Sequence, residues 1–173
     1  MLAVGRYLVA VLVVVLGAYA TYRLAWKPFL CNIDKAHAQI VLLSIFDLPP
    51  TLTVASNARR GITTMEQCIA ACPTDVDLYM TLAGYEQVIG RSRDAIETYR
   101  NALAYDRRPE IFLNIGLLQL QMNQRDAAIA SLTDACLFNI NFVNEISNLS
   151  DRDEVLAAVH ARQARGIAPA QGR

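Results

Sequence analysis

"DLYMTLAGYEQVIG", Asp77 to Gly90, and "EIFLNIGLLQLQMN", Glu110 to Asn123, carry similar residue types at matching positions when the chain is shifted against itself by 33 residues. The same shift continues without a gap, so that Ala95 falls on Ala128. Self-similarity at one fixed period of this size is the sequence signature of repeat proteins. We interpret the two stretches as corresponding parts of a structural repeat that occurs twice in the chain.

Each unit has the pattern of two amphipathic helices of about a dozen residues joined by a turn. Gly90 and Asn123 follow the first helix of each unit, and both residue types tolerate the left-handed conformation that commonly ends a helix. Small residues would let the paired helices approach closely, and large residues would fill the wider gaps. These packing positions are Tyr79, Leu82, Ala83, Ala95, Tyr99, Ala102, Phe112, Ile115, Gly116, Ala128, Leu132 and Ala135. The pattern predicts an all-α fold with two hairpins, at residues 75–106 and 107–138.

In the first unit these positions follow the order aromatic, leucine, small residue, alanine, aromatic, alanine, which resembles the tetratricopeptide repeat (TPR) family. There are departures from the family pattern. Glu86 and Gln119 stand where an aromatic residue is usual, and Arg107 replaces the closing proline. The period is also one residue shorter than that of the family.

The resemblance implies a groove, lined by the first helix of each unit, that binds a protein partner. The residues at these positions are Met80, Gly84, Gln87, Leu113, Leu117, Leu120 and Gln121. Their apolar members would suit an apolar helix of the partner. Alternatively, the helices that precede the repeats cover these residues.

A second resemblance involves the residues around the repeats. The order of "CPTDVDLYMTLA", Cys72 to Ala83, the repeat pair, and "NFVNEIS", Asn141 to Ser147, is similar to the repeat-bearing C-terminal region of O-antigen polymerase/ligase-type membrane proteins. Those proteins build or transfer envelope polysaccharide. The resemblance implies, as an alternative function, an accessory protein of envelope polysaccharide or glycan assembly.

Two repeat units rarely bury their apolar faces alone, so we expect helical flanks. Residues 28–74 are predicted to form a helical connector and packing helices, within which "QIVLLSIF", Gln39 to Phe46, is apolar nearly all the way round. Such a helix is buried, lies at a membrane interface, or packs on another protein. Capping helices are predicted at residues 139–165, with Ser150 opening a near capping box. Residues 166–173 are predicted to be a disordered tail.

The N-terminal region contains an uncharged apolar run, "YLVAVLVVVLGAYATY", Tyr7 to Tyr22. A spanning helix needs roughly 20 apolar residues, and the run reaches that length if Arg23 extends its charge to the headgroups. We predict a transmembrane anchor at residues 1–27. A cleaved signal peptide, with a cleavage site at Ala18 to Ala20, is the alternative.

Charge and cysteine content suggest the compartment. The chain has 16 Lys+Arg and 16 Asp+Glu, so its formal net charge is zero. This charge balance gives no reason to expect nucleic-acid binding, which favours a basic surface. Four cysteines, an even number, suit an oxidising compartment. We expect a single-pass protein of the inner (cytoplasmic) membrane whose helical domain lies in the periplasm.

Cys68 and Cys72 are four residues apart and would share a helix face. Three chemical interpretations are half of a metal site, a redox pair, and a thiol-dependent enzyme. The spacing differs from that of Cys-x-x-Cys redox motifs, and His37 and His160 are distant in sequence. We therefore expect no metal, no cofactor and no catalytic activity. The cysteines would be small buried residues or would form a disulfide, with Cys31, Cys68, Cys72 and Cys136 as candidates.

Together these features predict a non-catalytic, membrane-anchored TPR-like scaffold. It would bind a protein partner, an integral-membrane protein, and help to assemble or stabilise a membrane complex. Besides the polysaccharide accessory, a second alternative is a small subunit that stabilises a bioenergetic membrane complex.

Overall fold

A computed structural model of the chain describes residues 2–49 and 51–166, with side chains from residue 11 onward. Throughout this part the regular structure is helical and no strand is present. The predicted all-α class is therefore confirmed. The predicted tail, apart from Gly166, lies outside the described residues.

Eight α-helices, a π-helical segment and a 3-10 helix make up the described part of the chain. In order they are α1 (Leu2–Thr21), the π segment (Tyr22–Trp26), α2 (Lys27–Ile45), α3 (Leu52–Ala71), α4 (Val76–Val88), α5 (Ser92–Ala102), α6 (Pro109–Gln121), α7 (Arg125–Phe138), the 3-10 helix (Ile140–Glu145) and α8 (Leu149–Ala164). Each of helices α3 to α8 packs on its neighbours in the chain.

Helices α4 and α5 repeat as α6 and α7 at the offset that the sequence shows. Both α4 and α6 contain 13 residues, and α4, α5, α6 and α7 begin at residues 76, 92, 109 and 125. The starts of corresponding helices are thus 33 residues apart in both cases. Short connections between packed helices make each pair an antiparallel hairpin.

The turns inside the two hairpins have the same geometry. Gly90 has φ of 76° and Asn123 has φ of 58°, both in the left-handed region. In each turn the following residue donates its N–H to the carbonyl five positions back, at 2.8 Å in the first unit and 2.9 Å in the second. This is the Schellman ending of a helix, which needs a residue that tolerates positive φ.

The twelve packing positions of the repeats are all buried. The closest approach is at Gly116 of α6, where an added Cβ would lie 2.6 Å from Leu132 Cγ of α7. Real side chains do not approach so closely, so only glycine allows α6 and α7 this separation.

The core has three clusters arranged along the chain. The first joins α2, α3 and α4, the second joins the two hairpins, and the third joins α6, α7 and α8. In the first cluster the ring of Tyr85 lies on Gly61, where an added Cβ would come within 2.3 Å of the ring. The Tyr85 hydroxyl donates to the Ala38 carbonyl at 2.5 Å. These contacts fix α2 against the repeats.

The π segment between α1 and α2 has a local cause. Pro28 has no N–H and its ring disfavours the regular pairing with the preceding turn. The Lys27 N–H instead bonds to the Tyr22 carbonyl, five residues back. A wider turn of this kind accommodates a proline without breaking the helix.

Within the residues that the structure describes, no helix has the combined length and apolarity that a membrane crossing requires. This finding does not support the transmembrane span that the sequence predicts at residues 1–27. The side chains of residues 1–10, which belong to that prediction, lie outside the described part.

Helix α8 begins differently from the prediction at Ser150. Its N-cap is Asn148, whose side chain accepts a hydrogen bond from the Ser150 N–H at 2.9 Å. Asparagine is among the strongest N-cap residues, and here it places the helix start before the near capping box. The chain enters α8 through the 3-10 helix and the buried Ile146.

Candidate functional site

The groove predicted in the first repeat is covered by the chain itself. Gly84 is buried, and an added Cβ there would lie 2.6 Å from Leu42 Cδ2 of α2. Met80 is half-buried against the second core cluster. Gln87 donates from Nε2 to the Tyr99 hydroxyl at 2.9 Å. The alternative in which preceding helices cover the groove therefore applies at Gly84.

The groove residues of the second repeat also have partners within the chain. Leu113 is buried, and Leu117 and Leu120 pack partly buried against the third cluster, which contains residues of α7 and α8. Gln121, at the end of α6, is exposed. The seven predicted residues thus do not form one open apolar groove, because α2 and the C-terminal helices occupy much of it.

An exposed apolar stripe lies instead on α2. We call it the outer face of α2 and define it as Phe29, Ile33, Ala36, Ile40 and Leu43. Their spacing of three and four residues places them along one side of the helix. The exposed fractions of the four large side chains are 53%, 52%, 67% and 80%. The opposite side of α2 carries the buried Cys31, Ala38 and Ile45. Helix α2 is therefore apolar on two opposite sides, of which one is covered.

The exposed apolar surface continues into the preceding helix. The described side chains of α1 and the π segment include Val11 to Leu16, Tyr19, Tyr22, Leu24 and Trp26, all exposed. The outer face of α2 is thus one end of a longer apolar surface. The 3-4 spacing of the stripe is visible in the sequence, whereas its exposure depends on the packing of α2 on α3 and α4.

All four cysteines are free thiols. Cys31 of α2 and Cys68 of α3 are buried in the first core cluster, with Cys72 packed against it, and Cys136 lies in the third. The Cys68 thiol lies 3.9 Å from the Cys31 carbonyl oxygen. The structure thus groups three of the four candidate cysteines and separates the fourth.

The pKa values of Cys68 and Cys72, at the C-terminal end of α3, are raised. Burial, with a hydrogen bond to the Cys31 side chain, raises the pKa of Cys68 to about 12. Burial raises the pKa of Cys72, and the neighbouring Cys31 and Asp75 act in the same direction. At neutral pH these groups are protonated thiols, which are poor nucleophiles and metal ligands.

The polar residues that depart from the TPR pattern form equivalent pairs in the two hairpins. Gln119 accepts at Oε1 from the Ser131 hydroxyl at 2.8 Å, and Thr98, at the position equivalent to Ser131, acts on Glu86 by lowering the pKa of its carboxyl group. Both residues are buried. Each pair therefore joins the first helix of its hairpin to the second, at positions 33 residues apart.

The two pairs differ in charge. Burial raises the pKa of Glu86, and Oε2 of this residue has no hydrogen-bond partner within the described part of the chain. A buried carboxylate with an unpaired oxygen is costly. The neutral amide of Gln119 avoids this cost, so the two repeats differ in stability at this point.

His37 lies beside a small cleft between α2 and α3. The cleft has a volume of about 240 Å³ and is lined by Asp34, His37, Arg60 and the ring of Tyr85, among others. His160 is exposed on α8. No group of three or more potential metal ligands occurs among the described residues. Compared with protein-family models, curated proteins and solved structures, the chain matches none.

Proposed function

We propose that the chain is a non-catalytic, membrane-anchored scaffold of two TPR-like hairpins that binds an integral-membrane protein and helps to assemble a membrane complex. The observation that supports this proposal best is the outer face of α2. Its four large apolar side chains are half or more exposed on a helix whose opposite side is fixed to the domain. Contiguous exposed apolar surface of this kind is typical of interaction sites.

The shape of the outer face favours a helix as its occupant. Apolar side chains at 3-4 spacing match the ridge of a second helix that packs at a shallow angle. Covering the stripe would stabilise the complex by on the order of 1 kcal/mol per large side chain. Association costs offset part of this gain. A partner helix that is already held in the membrane would lose less freedom on binding.

The membrane anchor is proposed from the N-terminal sequence and the exposed surface beside it. Tyr19, Tyr22 and Trp26 are about half exposed, next to the charged Arg23 and Lys27, and this combination is typical of a membrane interface. In the proposed arrangement α1 lies in the inner membrane and the hairpins lie in the periplasm. The outer face of α2 would then meet the partner close to the bilayer surface.

Site-specific photocrosslinking in intact membranes tests the docking surface. A photoreactive amino acid replaces Ile40 or Leu43 on the outer face, and Arg100, which is exposed on α5, provides the control position. We expect both outer-face positions to give one adduct with the same membrane-spanning protein, identified by mass spectrometry, and Arg100 to give none. Equal crosslinking at all three positions, or none at Ile40 and Leu43, would contradict the proposal.

Membrane attachment needs a separate test. The anchor predicts that the full chain remains in the membrane pellet after extraction at alkaline pH, which strips peripheral proteins. It also predicts that protease added outside the inner membrane cuts a C-terminal tag. Release of the chain at alkaline pH would refute the anchor but would leave the docking surface to be tested by crosslinking.

A further inference from the structure

We propose that Cys31 and Cys68 form a reversible disulfide that fastens α2 to α3, with Cys72 as the thiol through which the oxidant enters. This inference concerns a modification site and goes beyond the proposed scaffold function. The three thiols come from α2 and α3 and lie together at the first core cluster, whereas Cys136 lies in another cluster.

The pair is placed for bonding across two helices. The Cys68 thiol of α3 lies 3.9 Å from the Cys31 carbonyl oxygen of α2. Both residues are buried in one cluster, with 8% and 2% of their surfaces exposed. Disulfides need close Cα atoms and converging Cβ atoms, and Cys31 and Cys68 belong to one buried cluster between α2 and α3. Cys68 and Cys72 follow each other on one helix, where the backbone disfavours such a bridge.

Cys72 differs from the pair in its access to solvent. It is half-buried and occupies the C-cap of α3, where the backbone has left the helical conformation. An external oxidant therefore meets Cys72 before the buried pair. The side chains of Lys27 and Lys35 act to lower the pKa of Cys72, against the larger effect of burial.

The proposed reaction consumes one small disulfide, RSSR, such as oxidised glutathione. The small fraction of Cys72 that is deprotonated attacks RSSR, which forms a Cys72–SR bond and releases RS⁻. The Cys31 thiolate then attacks the Cys72 sulfur and releases the second RS⁻. Finally Cys68 attacks the Cys31 sulfur and its proton passes to the departing Cys72 sulfur, so that the Cys31–Cys68 bond forms and Cys72 leaves as a thiol. In total Cys31 and Cys68 lose two electrons and two protons, and RSSR becomes two RSH.

The bridge would hold the inner side of α2 against the domain. Cys31 lies one helix turn from Lys35, whose ammonium group pairs with Asp75 of the α4 N-cap at 2.7 Å. Oxidation would therefore add a covalent bond to the packing, ion pairs and hydrogen bonds that hold α2 in the reduced protein. The outer face of α2 would remain free in both states.

The experiment uses the purified full chain in detergent, equilibrated with oxidised glutathione or with dithiothreitol, then alkylated and digested with trypsin. Cys31 falls on the peptide 24–35, and Cys68 and Cys72 fall together on the peptide 61–91. Cys31→Ala, Cys68→Ala, Cys72→Ala and Cys136→Ala variants identify the bonded residues. Thermal unfolding of each reduced variant checks that it is folded.

We expect the oxidised wild type and Cys136→Ala to contain the two peptides linked through Cys68, as located by fragment ions, and the link to be absent from folded Cys31→Ala. In folded Cys68→Ala the Cys31–Cys72 intermediate cannot be resolved, so the same peptides should be linked through Cys72. Cys72→Ala should form the link through Cys68 at least about tenfold more slowly, because a buried thiol must then react first. The oxidised wild type should unfold about 5 °C or more above the reduced form. No link in the oxidised wild type, or a wild-type link through Cys72 in place of Cys68, would overturn the proposed bridge. Equal rates with and without Cys72 would overturn its role.

Discussion

Leu42 of α2 occupies the space over Gly84 of α4, where a Cβ on residue 84 would lie only 2.6 Å from Leu42 Cδ2. This contact closes the groove that the sequence predicts at the first repeat. It also explains how a chain with two hairpins completes its core, because α2 and α3 act as the missing neighbour. The consequence is that the available apolar surface is on the far side of α2.

The Leu42–Gly84 contact predicts that Gly84→Ala lowers the free energy of unfolding in the wild type but raises it in a Leu42→Ala background. Gly84→Ala should destabilise the wild type by about 1 kcal/mol, because the new methyl group displaces Leu42. In a Leu42→Ala background the same substitution should stabilise by up to about 1 kcal/mol, since alanine is the better helix former. Chemical denaturation of the four proteins measures both effects. The same sign in both backgrounds would contradict the contact.

Gly116 predicts a larger effect at the hairpin interface. Gly116→Ala should cost about 1–3 kcal/mol, because the new Cβ would meet both the side chain and, at 3.2 Å, the backbone nitrogen of Leu132. Gly17→Ala is the control, since an added Cβ at residue 17 meets nothing within 4 Å. The free energy of unfolding measures the difference. Equal effects at the two glycines would show that α6 and α7 are not closely packed there.

Glu86 predicts a pH-dependent term in stability. Burial raises the pKa of its carboxyl group in the folded state, so its protonated form is favoured on folding. The stability gained from protonated Glu86 is therefore present below the unfolded-state pKa of Glu86 and is lost as pH rises through the raised folded-state pKa. Glu86→Gln should therefore stabilise the protein at pH 8, by on the order of 1 kcal/mol, and have less effect at pH 4.

The second hairpin provides the reciprocal variant. Gln119→Glu places a carboxylate at the equivalent buried position and should destabilise the protein at pH 8 more than at pH 4. Urea unfolding at both pH values compares the two variants. If neither substitution changes the pH dependence, the two positions are not buried as the structure shows.

The two hairpin turns predict opposite changes in stability when Gly90 and Asn123, which occupy equivalent positions, are substituted. Gly90→Ala should destabilise by about 1 kcal/mol, because φ of 76° at this residue disfavours a side chain with a Cβ. Asn123→Gly should be neutral or slightly stabilising, since glycine adopts positive φ without strain. Thermal unfolding of both variants tests the shared geometry. A stabilising Gly90→Ala substitution would contradict it.

The repeat was predictable because it depends on local patterns. The 33-residue shift in the sequence reports small and large residues that pack within one hairpin, and Gly90 and Asn123 mark the turns by their backbone conformations. Pro109 likewise begins α6 at a position where its missing N–H has no cost. Such features involve residues close in sequence.

The covered groove and the thiol cluster depend on long-range packing, so the sequence indicated the first only as one of two alternatives and did not identify which cysteines meet. Leu42 and Gly84 are far apart in sequence, and no periodicity connects them. Cys31 and Cys68 are separated by 37 residues, so their spacing carries no information about contact. The π segment could not be predicted for a different reason. A proline such as Pro28 can end, kink or widen a helix, and the sequence around it does not show which of these occurs.

The most direct test of the docking surface is recovery of the partner from membranes with an outer-face variant. Ile33→Asn combined with Ile40→Asn makes the stripe polar at two exposed positions and should leave the unfolding temperature nearly unchanged. Glu97→Gln combined with Arg100→Gln changes exposed residues of α5 and serves as the control. We predict that the outer-face variant recovers at least about tenfold less of the crosslinked partner than the wild type and the control do. Undiminished recovery by a folded outer-face variant would contradict the proposal that this side of α2 binds the partner.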